Sequence, residues 1–314
     1  MLELLEGTAN DLPCAQAVLE AVYPHHAGAR AYHAARAPGA DPLGRLWLAQ
    51  LEGQSVGFAQ VRTSSLHPRT DYVTVAVLPA LWGQSIGTRL LYRLEEELGN
   101  RSRRQQTAFP ESQTAARAFI EHHGFESVMQ TYSVQVAAKS IALEPFVAAH
   151  TQALELGLTF SALLESPQLA DEVALLQHRV YQASHGYNPV PDFTLEQMRE
   201  LWLNEEMNPA SLFLALRERE PVGFAALYGA GQALELAYFG TDPEHAALEP
   251  WLSLALTGQA LEFAAARGAV LEAEFDSLNP TAMAVLEALG VDPCEAWVTY
   301  QRTPQTFQPL ERLH

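Results

Sequence analysis

A chain of 314 residues with 37 Asp and Glu against 19 Lys and Arg carries a formal charge of −18, long enough for two ordinary domains and too acidic for a general nucleic-acid binder. Apolar residues make up 48% and charged residues 18%, so each half can build a core and wholesale disorder is excluded. Cys14 and Cys294 are the only cysteines, too few for a disulfide framework and without zinc-site spacing, so a reducing, cytoplasmic setting and no metal are expected.

Met1 to Gly7 carries Glu3 and Glu6 and lacks the basic start and apolar stretch of a secretory signal. A helix is predicted around Leu12 to Tyr23, then strands near 46–51, 55–63 and 71–78, a helix over 86–98, a strand near 105–109, a helix over 113–122 and a strand near 127–136. The helix over 86–98 rests on Ile86, Leu90, Leu91, Leu94 and Leu98, which form one stripe with Arg89, Arg93 and Glu96 outside it. The nearly apolar run from Tyr72 to Gly83 contains Pro79 and is well short of the ~20 residues of a membrane span, so it reads as a buried strand followed by a turn.

The chain then repeats itself. Leu46-Trp47-Leu48-Ala49 and Val56-Gly57-Phe58-Ala59 recur at one offset as Leu212-Phe213-Leu214-Ala215 and Val222-Gly223-Phe224-Ala225. Gln113, Ala118 and Gly124 fall opposite Asn279, Ala284 and Gly290 with that offset unchanged. A duplication is therefore expected, with domains at 1–140 and 156–305, a linker at 141–155 where Glu144-Pro145 interrupts the pattern, and a tail at 306–314. Each copy reads as a mixed, mostly antiparallel sheet flanked by helices, an α+β architecture. The acidity is uneven: residues 151–314 hold 7 basic and 23 acidic side chains.

The segment Val75-Ala76-Val77-Leu78-Pro79-Ala80-Leu81-Trp82-Gly83-Gln84-Ser85-Ile86-Gly87-Thr88 reads as strand, tight turn and helix start. Glycines at 83 and 87 allow close approach of a ligand to the backbone, and the first amides of a helix suit a pyrophosphate. A plain turn before a helix is the other reading. This segment resembles the acetyl-CoA-binding signature of the GCN5-related N-acetyltransferase (GNAT) family, with Pro79, Gly83, Ile86 and Gly87 matching. Trp82 stands where that signature has a basic or amide residue, and Ser85 where it has glycine. Gln113 to Phe125 resembles the family's second hallmark, a helix ending in Gly-Phe. With the repeat, the whole chain resembles tandem GNAT proteins.

The resemblance implies an acetyl-CoA-dependent transfer of an acetyl group to the amine of a small acceptor, with acetyl-CoA as co-substrate and neither nucleic acid nor membrane as partner. The implied cofactor-binding residues are Val75, Ala76, Val77, Trp82, Gly83, Gln84, Ser85, Ile86, Gly87, Thr88, Gln113 and Phe119. The strands at 71–78 and 105–109 are expected to splay, freeing backbone groups of Val75 to Val77 for the pantetheine arm. Glu111 and Asp71 are candidate bases and Tyr132, or else Tyr72, a candidate acid, since Ile120 occupies the position where many relatives have tyrosine. Each of the two carboxylates also reads as a solvated surface group. The second copy has Glu249-Pro250 where the first has its glycines, which sets a carboxylate against the pyrophosphate and removes an amide donor, so the first copy alone is expected to hold the cofactor. A catalytically silent acyl-CoA sensor or pseudoenzyme is the alternative. His25-His26 and His122-His123 are adjacent and point apart on a helix, a poor metal arrangement. The stretch Tyr181 to Asp192 reads as a loop rich in substrate-contacting groups or as packing between the copies.

Overall fold

The computed structural model describes residues 1–36, 44–99, 103–204, 207–229 and 231–303. In chain order the elements are β1 (Leu2–Glu6), α1 (Leu12–Val22), α2 (Ala27–His33), β2 (Arg45–Leu51), β3 (Gln54–Arg62), β4 (Thr70–Val77), α3 (Ile86–Leu98), β5 (Arg104–Pro110), α4 (Thr114–His122) and β6 (Glu126–Ala137). They continue with α5 (Glu144–Glu155), β7 (Thr159–Ala162), α6 (Ala170–Ser184), α7 (Leu195–Trp202), β8 (Met207–Arg217), β9 (Glu220–Tyr228), β10 (Ala233–Thr241), α8 (Trp251–Ala266), β11 (Val270–Asp276), α9 (Pro280–Leu289) and β12 (Glu295–Arg302). The chain divides into two compact units, residues 1–128 with the C-terminal segment from Thr299, and residues 129–298.

In the first unit the strands run in the order β1-β2-β3-β4-β5, followed by the end of β12. All pairs from β1 to β4 are antiparallel, and β4 pairs with β5 in parallel. The predicted stripe of α3 packs Ile86, Leu90, Leu91, Leu94 and Leu98 against Trp47, Val61, Val73 and Val77, while α1 covers β3 and β4. A helical stripe laid on alternating strand residues is what the two periodicities require.

The second unit repeats the plan as β6-β11-β10-β9-β8-β7, flanked by the start of β12. Here β10 and β11 are the parallel pair, and β11 also pairs antiparallel with β6 from Val270↔Ala137 to Asp276↔Thr131. Helix α8 is apolar all round because it is buried between the sheet and α5.

The units divide the chain differently from the expected boundaries at 140 and 156. Residues 129–137 of β6 complete the second unit, and 299–302 of β12 complete the first. Sequence pattern reports that a strand exists but not which sheet takes it. The segment expected as a linker, 141–155, is largely α5, and Pro145 sits in its first turn, where the missing amide has no intrahelical acceptor anyway. The short β1 was not expected at all. The expected tail, 306–314, lies outside the described residues.

Arg302 fastens the last strand to the first unit. Its guanidinium donates to Gln105 Oε1 at 2.7 Å and to the carbonyl of His123 at 2.8 Å, pairs with Glu95, and lies 4.4 Å over the Phe125 ring. Beside it Gln301 donates to Gln106 at 2.7 Å, and Tyr300 stacks on Phe109. Arg302→Ala leaves a largely buried Glu95 without its counter-ion and is expected to destabilise the first unit by about 3 kcal/mol. Hydrogen exchange checks this: amides of 104–125 should exchange faster in the variant, with those of β8 to β11 unchanged.

Candidate active site

The parallel pair β4 and β5 is registered only at Thr70↔Arg104, Asp71↔Gln105 and Tyr72↔Gln106. Beyond these pairs the strands diverge, and a cavity of about 490 Å³ opens between them, lined by Val73, Val75, Ala76 and Val77 on one side and Thr107 and Phe109 on the other. On its other edge β4 stays in unbroken register with β3 through Gly57↔Val77. Its β5-facing backbone groups past Tyr72 are therefore directed into the cavity. One of them is taken by the chain itself: the Trp82 indole N–H donates to the carbonyl of Val77 at 2.7 Å.

The N-terminus of α3 opens on the same cavity through Gly83, Ser85, Ile86, Gly87 and Thr88. Gly83 has φ +76 and Ser85 φ +59, so the backbone curls left-handed twice before the helix begins and turns its amides outward. The first amides of α3 have no intrahelical acceptors and lie at the positive end of the dipole. Gly87 has a packing reason as well, because a Cβ there would stand 3.2 Å from the Phe119 ring. Among the described residues no Asp, Glu, Lys or Arg lines the cavity. An anion entering it meets helix amides and the hydroxyls of Ser85 and Thr88, with no lining carboxylate to repel it.

The opposite wall carries Tyr23 and His33. Gln60, buried on β3, donates to the carbonyls of His33 and Ala34 at 2.9 and 3.0 Å and so anchors the end of α2. The His33 ring stacks on Tyr23 with centroids 5.4 Å apart, and its Nδ1 lies 3.1 Å from Thr74 Oγ1. Burial, reinforced by the positive charge of Arg62, lowers the His33 pKa to about 3. Burial likewise raises the Tyr23 hydroxyl to about 12. Both groups are neutral near pH 7.

The structure brings Val75, Ala76, Val77, Trp82, Gly83, Ser85, Ile86, Gly87, Thr88, Gln113 and Phe119 together around this cavity, whereas Gln84 is exposed on the turn and does not line it. The expected catalytic groups, Tyr72 among them, do not line it. Glu111 is exposed on the turn after β5. Asp71 is buried where β4 and β5 still pair, 3.2 Å from the Arg103 guanidinium. Tyr132 belongs to the second unit, its hydroxyl donating to Gln130 at 2.9 Å. Among the described residues no three His, Cys, Asp or Glu side chains converge on a possible metal position. His33, Tyr23 and Thr107 were not anticipated. A histidine in a seven-residue helix has no periodicity that reveals which way it faces.

In the second unit carboxylates stand on the turn before α8 and at its start. Asp242 accepts from the amide of Glu244 at 3.1 Å and pairs with Arg179. Glu249 accepts from the hydroxyl of Ser253 at 2.7 Å across the first turn of α8. A carboxylate thus stands beside the first turn of α8, where its charge disfavours an anion.

Residues 42–127 match the family model for the acetyltransferase (GNAT) domain. The first half of this chain carries a GNAT domain. No curated protein matches the sequence. Among solved structures, a GCN5-related N-acetyltransferase from Sphaerobacter thermophilus is similar over 96% of this chain and 95% of its own at 17% identity, with a TM-score of 0.66. A tandem GNAT protein from the clavulanic acid biosynthesis pathway is similar over 97% of this chain and 100% of its own at 16% identity, with a TM-score of 0.59. These likenesses extend the GNAT fold across both halves. No helix among the described residues is long and apolar enough to cross a membrane.

The state of His33 in the first unit sets a pH dependence. The folded chain keeps the ring neutral down to about pH 3, while an unfolded chain protonates it near pH 6.5. Stability is therefore unaffected by this group above pH 6.5 and falls as the pH drops from there toward 3, by up to about 1.4 kcal/mol per pH unit. His33→Gln should flatten that part of the profile in urea denaturation at pH 4 to 7. An unchanged slope would mean the ring is protonated in the folded protein.

Proposed function

We propose that this chain is an acetyl-CoA-dependent N-acetyltransferase acting on a small amine, with the co-substrate held by the first unit. The observation that carries the reading is the divergence of β4 from β5 beside a helix start with outward amides and no lining charge. Those features fit acetyl-CoA: the edge of β4 from Val73 to Val77 suits the amide-bearing pantetheine arm, and the amides of Gly83 to Thr88 suit the diphosphate. Acetyl-CoA supplies an acetyl group activated as a thioester. Amide N–H groups on the free edge of β4 are donors for negative charge developing on an acyl oxygen, and one such donor is worth about 2.7–4 kcal/mol.

The acceptor must present a neutral amine, because a protonated one has no lone pair. His33, neutral and hydrogen-bonded through Thr74, is suited to accept a hydrogen bond from the acceptor and orient it. Its low pKa makes it a poor resident for a proton at pH 7, so proton removal is assigned to water at the open end of the cavity. A silent acyl-CoA sensor is the second reading, favoured by the absence of any lining group with a near-neutral pKa and by Ile120 at the tyrosine position.

Thermal melting with acetyl-CoA tests binding, since a ligand at 100 times its dissociation constant adds about 2.7 kcal/mol. Gly87→Glu and Ser85→Asp should each abolish the shift. Ser85→Asp is the cleaner of the two because Asp tolerates the left-handed backbone. Glu249→Gln should leave the shift intact, and the reverse pattern would move the cofactor to the second unit. Thiol release over a panel of amines then separates transferase from sensor.

A further inference from the structure

The second unit holds a cavity of its own, about 230 Å³, where β10 and β11 part after the pair Leu236↔Ala273. It is smaller than the roughly 300–1,000 Å³ of drug-sized pockets, so it suits a small molecule. The register of β10 shifts between Leu236 and Tyr238, and such an irregularity re-aims side chains. Tyr238 thereby lines the cavity with Trp202 and Tyr181. These three rings form a corner: Tyr181 and Trp202 lie 5.0 Å apart, Trp202 and Tyr238 5.3 Å at 79°, and Tyr181 and Tyr238 6.0 Å at 70°.

Among the described residues, the charged side chains lining this cavity are acidic: Glu235, Glu274 and Asp276. Partial burial raises the carboxyl pKa of Glu274, with Glu235 and Asp276 adding to the effect, and burial raises that of Asp276 against the hydrogen bond from Thr131. His185, which also lines it, is held below its ordinary range by burial and brings no competing positive charge at neutral pH. Aromatic faces and carboxylates around one small space attract a cation.

A second observation, independent of the charges, points to a ligand. Gln177 lines the cavity, is only 1% exposed, and has no hydrogen-bond partner on either its amide nitrogen or its amide oxygen. The Trp202 indole N–H, on a side chain 2% exposed, is likewise without a partner. Buried polar groups left unsatisfied cost free energy, and such groups in a native structure call for a missing partner. One amide with both donor and acceptor, beside an indole donor, calls for an oxygen-bearing group such as a hydroxyl.

We propose that the cavity of the second unit binds a small organic cation carrying a hydroxyl, an amino alcohol or its quaternary ammonium analogue, with the cationic centre against the rings of Tyr238 and Trp202 and the carboxylates, and the hydroxyl on Gln177. The site is separate from the acyl-transfer reading and requires no cofactor. With the Glu249 carboxylate at its helix start, this unit recognises the cation without acylating it.

Calorimetric titration of the full chain, free of any CoA, with choline chloride tests this, and 3,3-dimethylbutan-1-ol serves as the uncharged probe of the same shape. Choline should bind at least about tenfold more tightly than the alcohol. Glu274→Gln should weaken choline by about tenfold and leave the alcohol unchanged. Gln177→Leu should erase the preference for choline over tetramethylammonium, which lacks the hydroxyl. Equal binding of choline and the uncharged alcohol, or no heat with choline by a protein whose melting curve is native, overturns the proposal. Because no step involves acetyl-CoA, failure here leaves the first unit's reading standing, and loss of that reading leaves this one.

Discussion

The functional site depends on a limit to strand pairing. β4 and β5 hold register for three residue pairs and then separate, and each strand past that point carries backbone donors and acceptors on one edge with no strand to satisfy them. Such groups must find a partner in side chains, water or a ligand. The chain satisfies the carbonyl of Val77 with the Trp82 indole, which explains how a tryptophan serves at a position where the signature has a basic or amide residue. The rest of the edge and the amides at the start of α3 face one cavity, whose lining is otherwise mostly apolar.

The same scaffold in the second unit ends differently. Its parallel pair also parts, but the Glu249 carboxylate stands at its helix start, hydrogen-bonded to Ser253, and the space between the strands is walled by aromatic rings and carboxylates. One backbone plan thus presents helix amides and hydroxyls in the first unit and an acidic, aromatic space in the second. Fold alone does not assign chemistry; the side chains at the parting strands do.

Much of this was legible in the sequence because the informative features are local. The stripe from Ile86 to Leu98 marked α3 at the bounds observed, and the one-offset repeat marked the duplicated plan. Glycines and proline marked the turn before α3, and Glu249-Pro250 marked the carboxylate at the helix start in the second copy. What was not legible is set by long-range partners. Strand pattern did not reveal that 299–302 completes the first unit. Asp71 looked available until β5 brought Arg103 beside it. His33 acquires its meaning only when Gln60 holds α2 over the sheet. Tyr181 was expected on a loop and lies on α6, where the helix turns it toward Trp202 and Tyr238.

Hydrogen exchange of the full chain with and without CoA tests the central claim most directly, because it reads the backbone groups themselves. Protection is expected at the amides of Val75 and Val77 and of residues 83–88, with residues 243–252 unchanged. Protection confined to 243–252, or none at 83–88 with CoA in large excess, would contradict the account.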